Sequence, residues 1–426
     1  MSERTTDAPP ASAGTATPAV TARVGAGFVS LYALAYFGIW LAVLAPAVVT
    51  LQLKVLRLYP DDATSVIGVV SGVGALFALI GNPWAGKLSD RCMSRFGMRR
   101  PFVLGGMVSG TLGTAVIVYA PNMGILIVGC SLVQLSYNTA LAGIVAVVPD
   151  QVPEEQRGKF SGLLGLCQFL ALGVAAYVVD LVAGNMTLMF GVPALFGLLA
   201  VVPLLVVLRD RVRTEKPSTP YGVKEFLASF WVNPVAQPSY AWAWLSRFLL
   251  VLGWATLMTY QAFLLIDRFG YTPDNVGGQV GVVLSVMVVG ILAGSAGGGW
   301  LSDKLGRRKL FVGLAGVIAA IGLPTVAVAH SMTLLLAGVA VVGLGIGVHM
   351  SVDLALVLDV LPDKTNVARD LGVFNIANAL PQSVAPAIAP LFLAIGAGQN
   401  YTALFLAATG FAVLGALAVR PVRGAR

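Results

Sequence analysis

The sequence holds 426 residues, with 27 Lys and Arg against 19 Asp and Glu and a net charge of +8, yet only 11% of it is charged and 57% is hydrophobic. A soluble domain carries about 25% charged residues, so a mean hydropathy of +0.86 excludes a water-solvated chain and implies lipid as the solvent. The basic balance implies no nucleic-acid partner, because topology accounts for it.

Residues 1–25 are rich in Ser, Thr, Ala and Pro and are expected to form a disordered tail. The apolar run that follows is too long for a secretory signal and lacks a clear cleavage site, so it is expected to stay as the first helix. A hydrocarbon core of ~30 Å takes roughly 20 helical residues to cross. Twelve runs qualify, at about 26–53, 63–85, 102–120, 123–148, 160–184, 187–208, 239–266, 276–301, 310–330, 332–360, 371–397 and 400–419. Short alternating segments of the membrane-barrel kind are absent. The fold class expected is therefore an all-α membrane protein of twelve transmembrane helices.

Charge orients these helices. Cytoplasmic loops collect Lys and Arg, and with both ends inside, 23 of the 27 cations fall in inside segments. Lys54, Arg57 and Arg268 remain outside, and Arg247 lies within a helix. The excess of Arg over Lys, with much Ala, Val and Gly, suggests a GC-rich bacterial genome. Cys92, Cys130 and Cys167 have neither disulfide nor metal spacing and read as packing residues. With only two histidines, no metal cluster is expected, and no cofactor or obligate protein partner is implied.

The longest polar interruption, Arg209 to Tyr240, divides six helices from six. It gives a bundle over 26–208, a linker over 209–238, a second bundle over 239–420 and a short tail over 421–426. "VKEFLASFW" within the linker has the pattern of a short amphipathic surface helix. The two halves repeat each other. "GKLSDRCMSRFGMRR" follows the second run and "GGWLSDKLGRR" the eighth; "VVPDQVPEEQRGKFSG" ends the fourth and "VLPDKTNVARDLG" the tenth. Two landmarks recurring in one order argue for a duplicated six-helix unit with its pseudo-twofold axis along the membrane normal.

Gly86, Leu88, Asp90, Arg91, Gly97, Arg99 and Arg100, with Gly299, Leu301, Asp303, Lys304, Gly306, Arg307 and Arg308, resemble the signature loops of the major facilitator superfamily. The resemblance covers nearly the whole chain. In its longer first copy, "SDRCMSRFGMRRPF" resembles the loop of sucrose–proton symporters and glycoside transporters. It implies a rocker-switch transporter. Gly86, Asp90, Arg91, Arg99, Arg100, Gly299, Asp303, Arg307 and Arg308 then form a conformational latch that holds the inner ends of neighbouring helices and releases when the halves tilt. Gly86 and Gly299 would permit close helix approach.

Ionisable groups inside a membrane are functional candidates, and few exist here. On the tenth helix Asp353 stands near mid-membrane, with His349 one turn earlier on the same face. Two readings stay open for Asp353: a proton carrier tuned by His349, or a structural ion pair with Arg247. The fourth helix has an amide pair at the same spacing, Gln134 and Asn138, expected to face the first pair across the cavity and to bind polar groups of the solute. Trp254 and Gln261 share a stripe with Arg247, which is expected to snorkel to the inner headgroups. Tyr32, Tyr36 and Trp40 form an aromatic stripe, suited equally to stacking on sugar faces and to packing. Asn375, Asn378 and Gln382 line one face beside Pro381, either at the cavity or bonded to neighbouring helices. Asp180 is expected to be wet at the outer end.

The second helix has no membrane carboxylate of the kind the sodium-coupled melibiose-type relatives carry, which disfavours sodium. The helix-four carboxylate of sucrose symporters is missing too, which shifts any coupling to the second half. No phosphate-cradling loop appears, so ATP is not the fuel. The first reading is a secondary active transporter, not an enzyme, for proton-coupled uptake of a sugar or glycoside at the plasma membrane. Proton-driven efflux of a drug-like or natural-product solute is the alternative, and fifth-helix composition speaks against it. A non-transporting receptor would call for a signalling module that neither the tail nor the linker can supply.

Overall fold

The structure, a computed structural model, describes residues 23–212, 234–360, 367–396 and 399–423. Side chains at 154, 158–159, 161, 303, 354–355, 358–359 and 367–372 are not described. The stretch 223–231, expected as a surface helix, lies outside the described residues, as does nearly all of the expected tail.

Twelve helices long and apolar enough to span a membrane follow one another, and no strand occurs among the described residues. In the first half they are α1 (Ala26–Leu58), α2 (Ala63–Asp90), α3 (Arg100–Val118), α4 (Met123–Gln151), α5 (Glu154–Asp180) and α6 (Met186–Val207). The second half has α7 (Pro238–Phe269), α8 (Val276–Leu305), α9 (Arg308–Ala327), α10 (Met332–Val360), α11 (Val367–Leu393) and α12 (Tyr401–Ala418). In a membrane every backbone polar group must be bonded within the protein, which is why apolar runs of this length become helices. Pro46 interrupts α1 with one π-helical turn, Pro46–Thr50, and the freed Ala47 carbonyl accepts from Gln52 Nε2 at 2.7 Å. Asn122, Asn185 and Asn400 cap the starts of α4, α6 and α12 by accepting the amide three residues on, the usual use of a short amide at an N-cap.

The halves pack alike. α1 lies on α5 and α6, α2 on α4, and α3 on α4 and α6; in the same pattern α7 lies on α11 and α12, α8 on α10, and α9 on α10 and α12. Small residues set these approaches, as in many helix pairs that lack a hydrophobic driving force. Gly38 packs on Gly197 and Ala200, and its counterpart Gly253 on Ala408 and Ala412.

Two symmetry-related helix pairs carry most of the contact between the halves, α2 with α11 and α5 with α8. The hydrogen bonds between the halves gather at the end away from the basic loops. Tyr260 donates to the Thr64 carbonyl at 3.1 Å, an alternative acceptor being the Pro386 carbonyl at 3.2 Å. Thr64 Oγ1 reaches Gln399 Oε1 at 3.2 Å, and Ser285 Oγ meets the Tyr177 hydroxyl at 3.4 Å. Gly281 packs under the Tyr177 ring, where a Cβ would come within 2.8 Å. Asp180 departs from its expected wet position: it is half-buried, and its Oδ1 accepts the Gly278 amide at 2.8 Å, at the N-terminus of α8.

Candidate functional site

At the basic end of the first half, the predicted loop builds a clamp. Arg99 is buried, and its guanidinium bonds Asp90 of α2 at 2.7 Å, Asp150 of α4 at 2.9 Å and Ser89 Oγ at 2.5 Å. Burial acts against its charge, and the bonds and fields of Asp150 and Asp90 outweigh it, so its pKa stands above the ordinary arginine value. The amides of Arg99 and Arg100 both donate to Asp210 Oδ2, at 2.7 and 2.8 Å, so a carboxylate sits on the N-terminus of α3, where the helix dipole favours it. Gly97 turns the chain at φ +103°, and a Cβ there would collide with that carboxylate. Arg100 also donates to the Leu208 carbonyl at the end of α6. Four helices of one half are thereby tied.

The second copy keeps part of this. Gly306 turns at φ +61°, and Lys309 Nζ donates to the carbonyls of Arg420 and Val422 beyond α12, at 2.5 and 2.8 Å. Lys309 thus takes the place of Arg100. Arg307 is exposed, and the Asp303 side chain lies outside the described residues. The expected close approaches at Gly86 and Gly299 are not where the helices meet: a Cβ on Gly86 would meet nothing within 4 Å, and the tight contact falls on Gly298, one residue before Gly299, where a Cβ would come within 3.0 Å of Ser351 Oγ. A one-residue offset is a rotation of about 100° on a helix, which motif matching does not resolve.

Inside the bundle, the second half holds the charged cluster. Asp353 on α10 is 8% exposed. Its Oδ2 lies 3.1 Å from Arg247 Nη1 on α7, and its Oδ1 lies 3.4 Å from His349 Nε2. Arg247 therefore does not snorkel: its guanidinium turns inward to the Asp353 carboxylate. The Arg247 guanidinium also sits 5.0 Å above the Phe374 ring, and Trp254 lies 5.4 Å from the His349 ring. Arg247 Nε and His349 Nδ1 are buried without hydrogen-bond partners among the described residues, as are both amide atoms of Gln261. Buried polar atoms are nearly always bonded, so such a group marks a place where a solute or water completes the bonding.

The first half carries only neutral groups here. Asn138 Nδ2 donates to the Gln134 carbonyl at 2.8 Å and reaches its Oε1 at 3.4 Å. Among the described residues no hydrogen bond joins this pair to the Asp353 cluster. Tyr36 and Trp40 meet edge to face at 6.3 Å, and Trp40 Nε1 is buried without a partner. Tyr32 is committed to packing, donating to the Ile144 carbonyl at 2.6 Å and meeting Phe160 edge to face at 4.8 Å. Asn375 and Gln382 are exposed and Asn378 half-buried; Gln382 Nε2 makes a long 3.5 Å approach to the Asn378 carbonyl.

The profile of the Major Facilitator Superfamily matches residues 28–279 and 275–425. The chain belongs to the major facilitator superfamily. Its members are transporters rather than enzymes, and the twelve helices long and apolar enough to span a membrane are those of a multi-pass membrane protein. It is 35% identical over 95 residues to the glucose transporter GlcP of Staphylococcus epidermidis, 22% of this chain and 21% of that protein. With the probable inositol transporter 3 of Arabidopsis thaliana it shares 34% over 99 residues, 23% of this chain and 17% of that protein. With the niacin transporter NiaP of Acinetobacter baylyi it shares 25% over 283 residues, 59% and 62% of the two chains. The chain thus spans about a fifth of the length of the two sugar and polyol relatives. A bacterial homologue of the human lysosomal transporter Spinster superposes with a TM-score of 0.73 over 95% of this chain and 99% of that one, at 15% identity. The nucleoside transporter NupG gives 0.73 over 93% and 99%, at 12% identity. At such identities the likeness is one of fold.

Sequence reasoning passed over three groups that the facilitator fold brings into use. Lys54 Nζ donates to the Val118 carbonyl at 2.8 Å, and Arg268 Nη1 to the Ala327 carbonyl at 2.7 Å. Each caps the last turn of the helix two places on from its own, and a cation is favoured there. They stand 214 residues apart, close to the 213 between Ser89 and Ser302, a spacing that was available in the sequence. Asp210 gave no such signal, because the second half has no counterpart to it.

Proposed function

We propose that this facilitator is a proton-coupled secondary transporter that takes up a sugar or glycoside by rocking its two bundles, 26–208 and 239–420, about a shared site. The observation that carries the reading is Asp353: a buried carboxylate between Arg247 and His349, in mid-helix, beside polar atoms that have no hydrogen-bond partner among the described residues. A proton on Asp353 neutralises it and frees Arg247, and the two states of the pair couple occupancy to charge. Gln134, Asn138, Gln261, Asn375, Asn378 and Gln382 offer amides to hydroxyl groups, and Tyr36, Trp40 and Trp254 offer aromatic faces. Similarity to glucose and inositol transporters supports this solute class. With the basic end at the cytoplasm of the plasma membrane, interhalf bonds gathered at the outer end correspond to an inward-open arrangement. Asp90 and Arg99 then belong to a latch whose interhalf contacts form in the outward-open state.

Efflux of a drug-like solute is the second reading, favoured by 32% identity over 129 residues to the class B tetracycline resistance protein of Escherichia coli. Thermal stabilisation against glucose, inositol, aryl glycosides, niacin and tetracycline separates the two. For coupling, Asp353→Asn in proteoliposomes should abolish accumulation driven by a pH gradient while leaving solute exchange. Normal accumulation by that variant would remove Asp353 as the carrier.

A further inference from the structure

A groove of about 1160 Å³ runs between α9 and α12 from their basic ends. It lies on the outside of the bundle, away from Asp353. Its walls are apolar, with Leu310, Val317 and Leu417 exposed along them. Its rim carries Arg307, Lys309 and Arg420, and no carboxylate lines it. The two arginines are exposed, and no carboxylate among the described residues lies against either. Lys309 is held at the rim by its bonds to the Arg420 and Val422 carbonyls.

Depth and charge together select the occupant. From Leu310 to Ile321 the wall runs roughly 16 Å at 1.5 Å per residue, about the hydrocarbon depth of one leaflet. The cations stand at the helix ends, level with lipid headgroups. In the first half the corresponding end of α3 already holds a carboxylate, Asp210; no carboxylate lines the groove here. A zwitterionic lipid fits the walls equally well, but three clustered cations favour net negative charge.

We propose that this groove binds one anionic phospholipid, its phosphate among Arg307, Lys309 and Arg420 and an acyl chain along α9 and α12. The inference needs the membrane-spanning bundle and is independent of the transported solute and of proton coupling.

Native mass spectrometry of the full chain in detergent tests it, with phosphatidylglycerol and phosphatidylcholine of identical acyl chains. The wild type should retain phosphatidylglycerol preferentially. Arg307→Gln and Arg420→Gln should each weaken that retention about fivefold, the effect of one cation near an anionic surface, with phosphatidylcholine unaffected. Leu417→Trp, which fills the groove and leaves the charges, should displace phosphatidylglycerol as well. Equal retention of both lipids by the wild type overturns the proposal. So does undiminished retention in the double arginine variant, or release of the lipid by millimolar inorganic phosphate, which would indicate an anion site without a groove.

Discussion

The loops after α2 and α8 carry nearly the same residues and end in different electrostatic company. In the first half every principal charge is answered from within: Arg99 by Asp90 and Asp150, the start of α3 by Asp210. In the second half Lys309 answers carbonyls, the chain beyond α12 supplies Arg420 and Arg423 where the chain beyond α6 supplied Asp210, and Arg307 and Arg420 are exposed. Deeper in the bundle the asymmetry reverses. There the second half holds the ion pair and the first half holds amides. A duplicated unit has kept its backbone devices, the positive-φ glycine and the cation on a neighbouring C-terminus, while its charges have been redistributed.

The comparison can be broken at three places. The largest effect is expected at Arg247→Gln, which leaves Asp353 buried without its cation; uncompensated buried charge costs about 3–5 kcal/mol. Unfolding in detergent should show this loss, and the Arg247→Gln/Asp353→Asn double variant should recover most of it. Gln134→Ala, in the matching place of the first half, should cost only ~0.6 kcal/mol. A single variant as stable as the double would mean that the pair is not buried as a unit.

Next comes Asp210→Ala, which strips the cap from α3 and should lower stability by about 1 kcal/mol. Arg423→Ala, at the corresponding place in the second half, should stay within ~0.5 kcal/mol of the wild type. Equal losses would erase the difference between the two loops. The smallest effect is expected at Asp180→Asn, where a carboxylate on the α8 N-terminus contributes ~0.3–1 kcal/mol. That is a shift of about two- to fivefold in the balance of the two conformations, readable as faster labelling of a cysteine placed at Ser285. Unchanged labelling would show that the contact does not bias the closed end.

Much of this was open to reading before any coordinates. Apolar runs located the helices because crossing hydrocarbon needs length, and length is local. The loop after α2 announced itself through Asp90, Arg99 and Arg100, since clustered charge in an apolar chain has few explanations. His349 and Asp353 followed from spacing alone. Arg247 did not. Its partner depends on how α7 and α10 are rotated about their own axes, and helices apolar around most of their circumference carry little periodicity to settle that. The same indeterminacy moved the close approach from Gly299 to Gly298 and hid the contact of Asp180 with Gly278.

What the linear chain determined by itself was its solvent and its symmetry. About twenty apolar residues at a time must become helix where water is absent, and a repeat 213 residues long must fold twice into one shape. Only tertiary packing decided which charges meet a protein partner, as Arg99 and Arg247 do, and which, like Arg307 and Arg420, stand exposed. Arg247 and Asp353, 3.1 Å apart here, are separated by about a hundred residues of chain, and their distance depends on helix rotation, which composition does not encode.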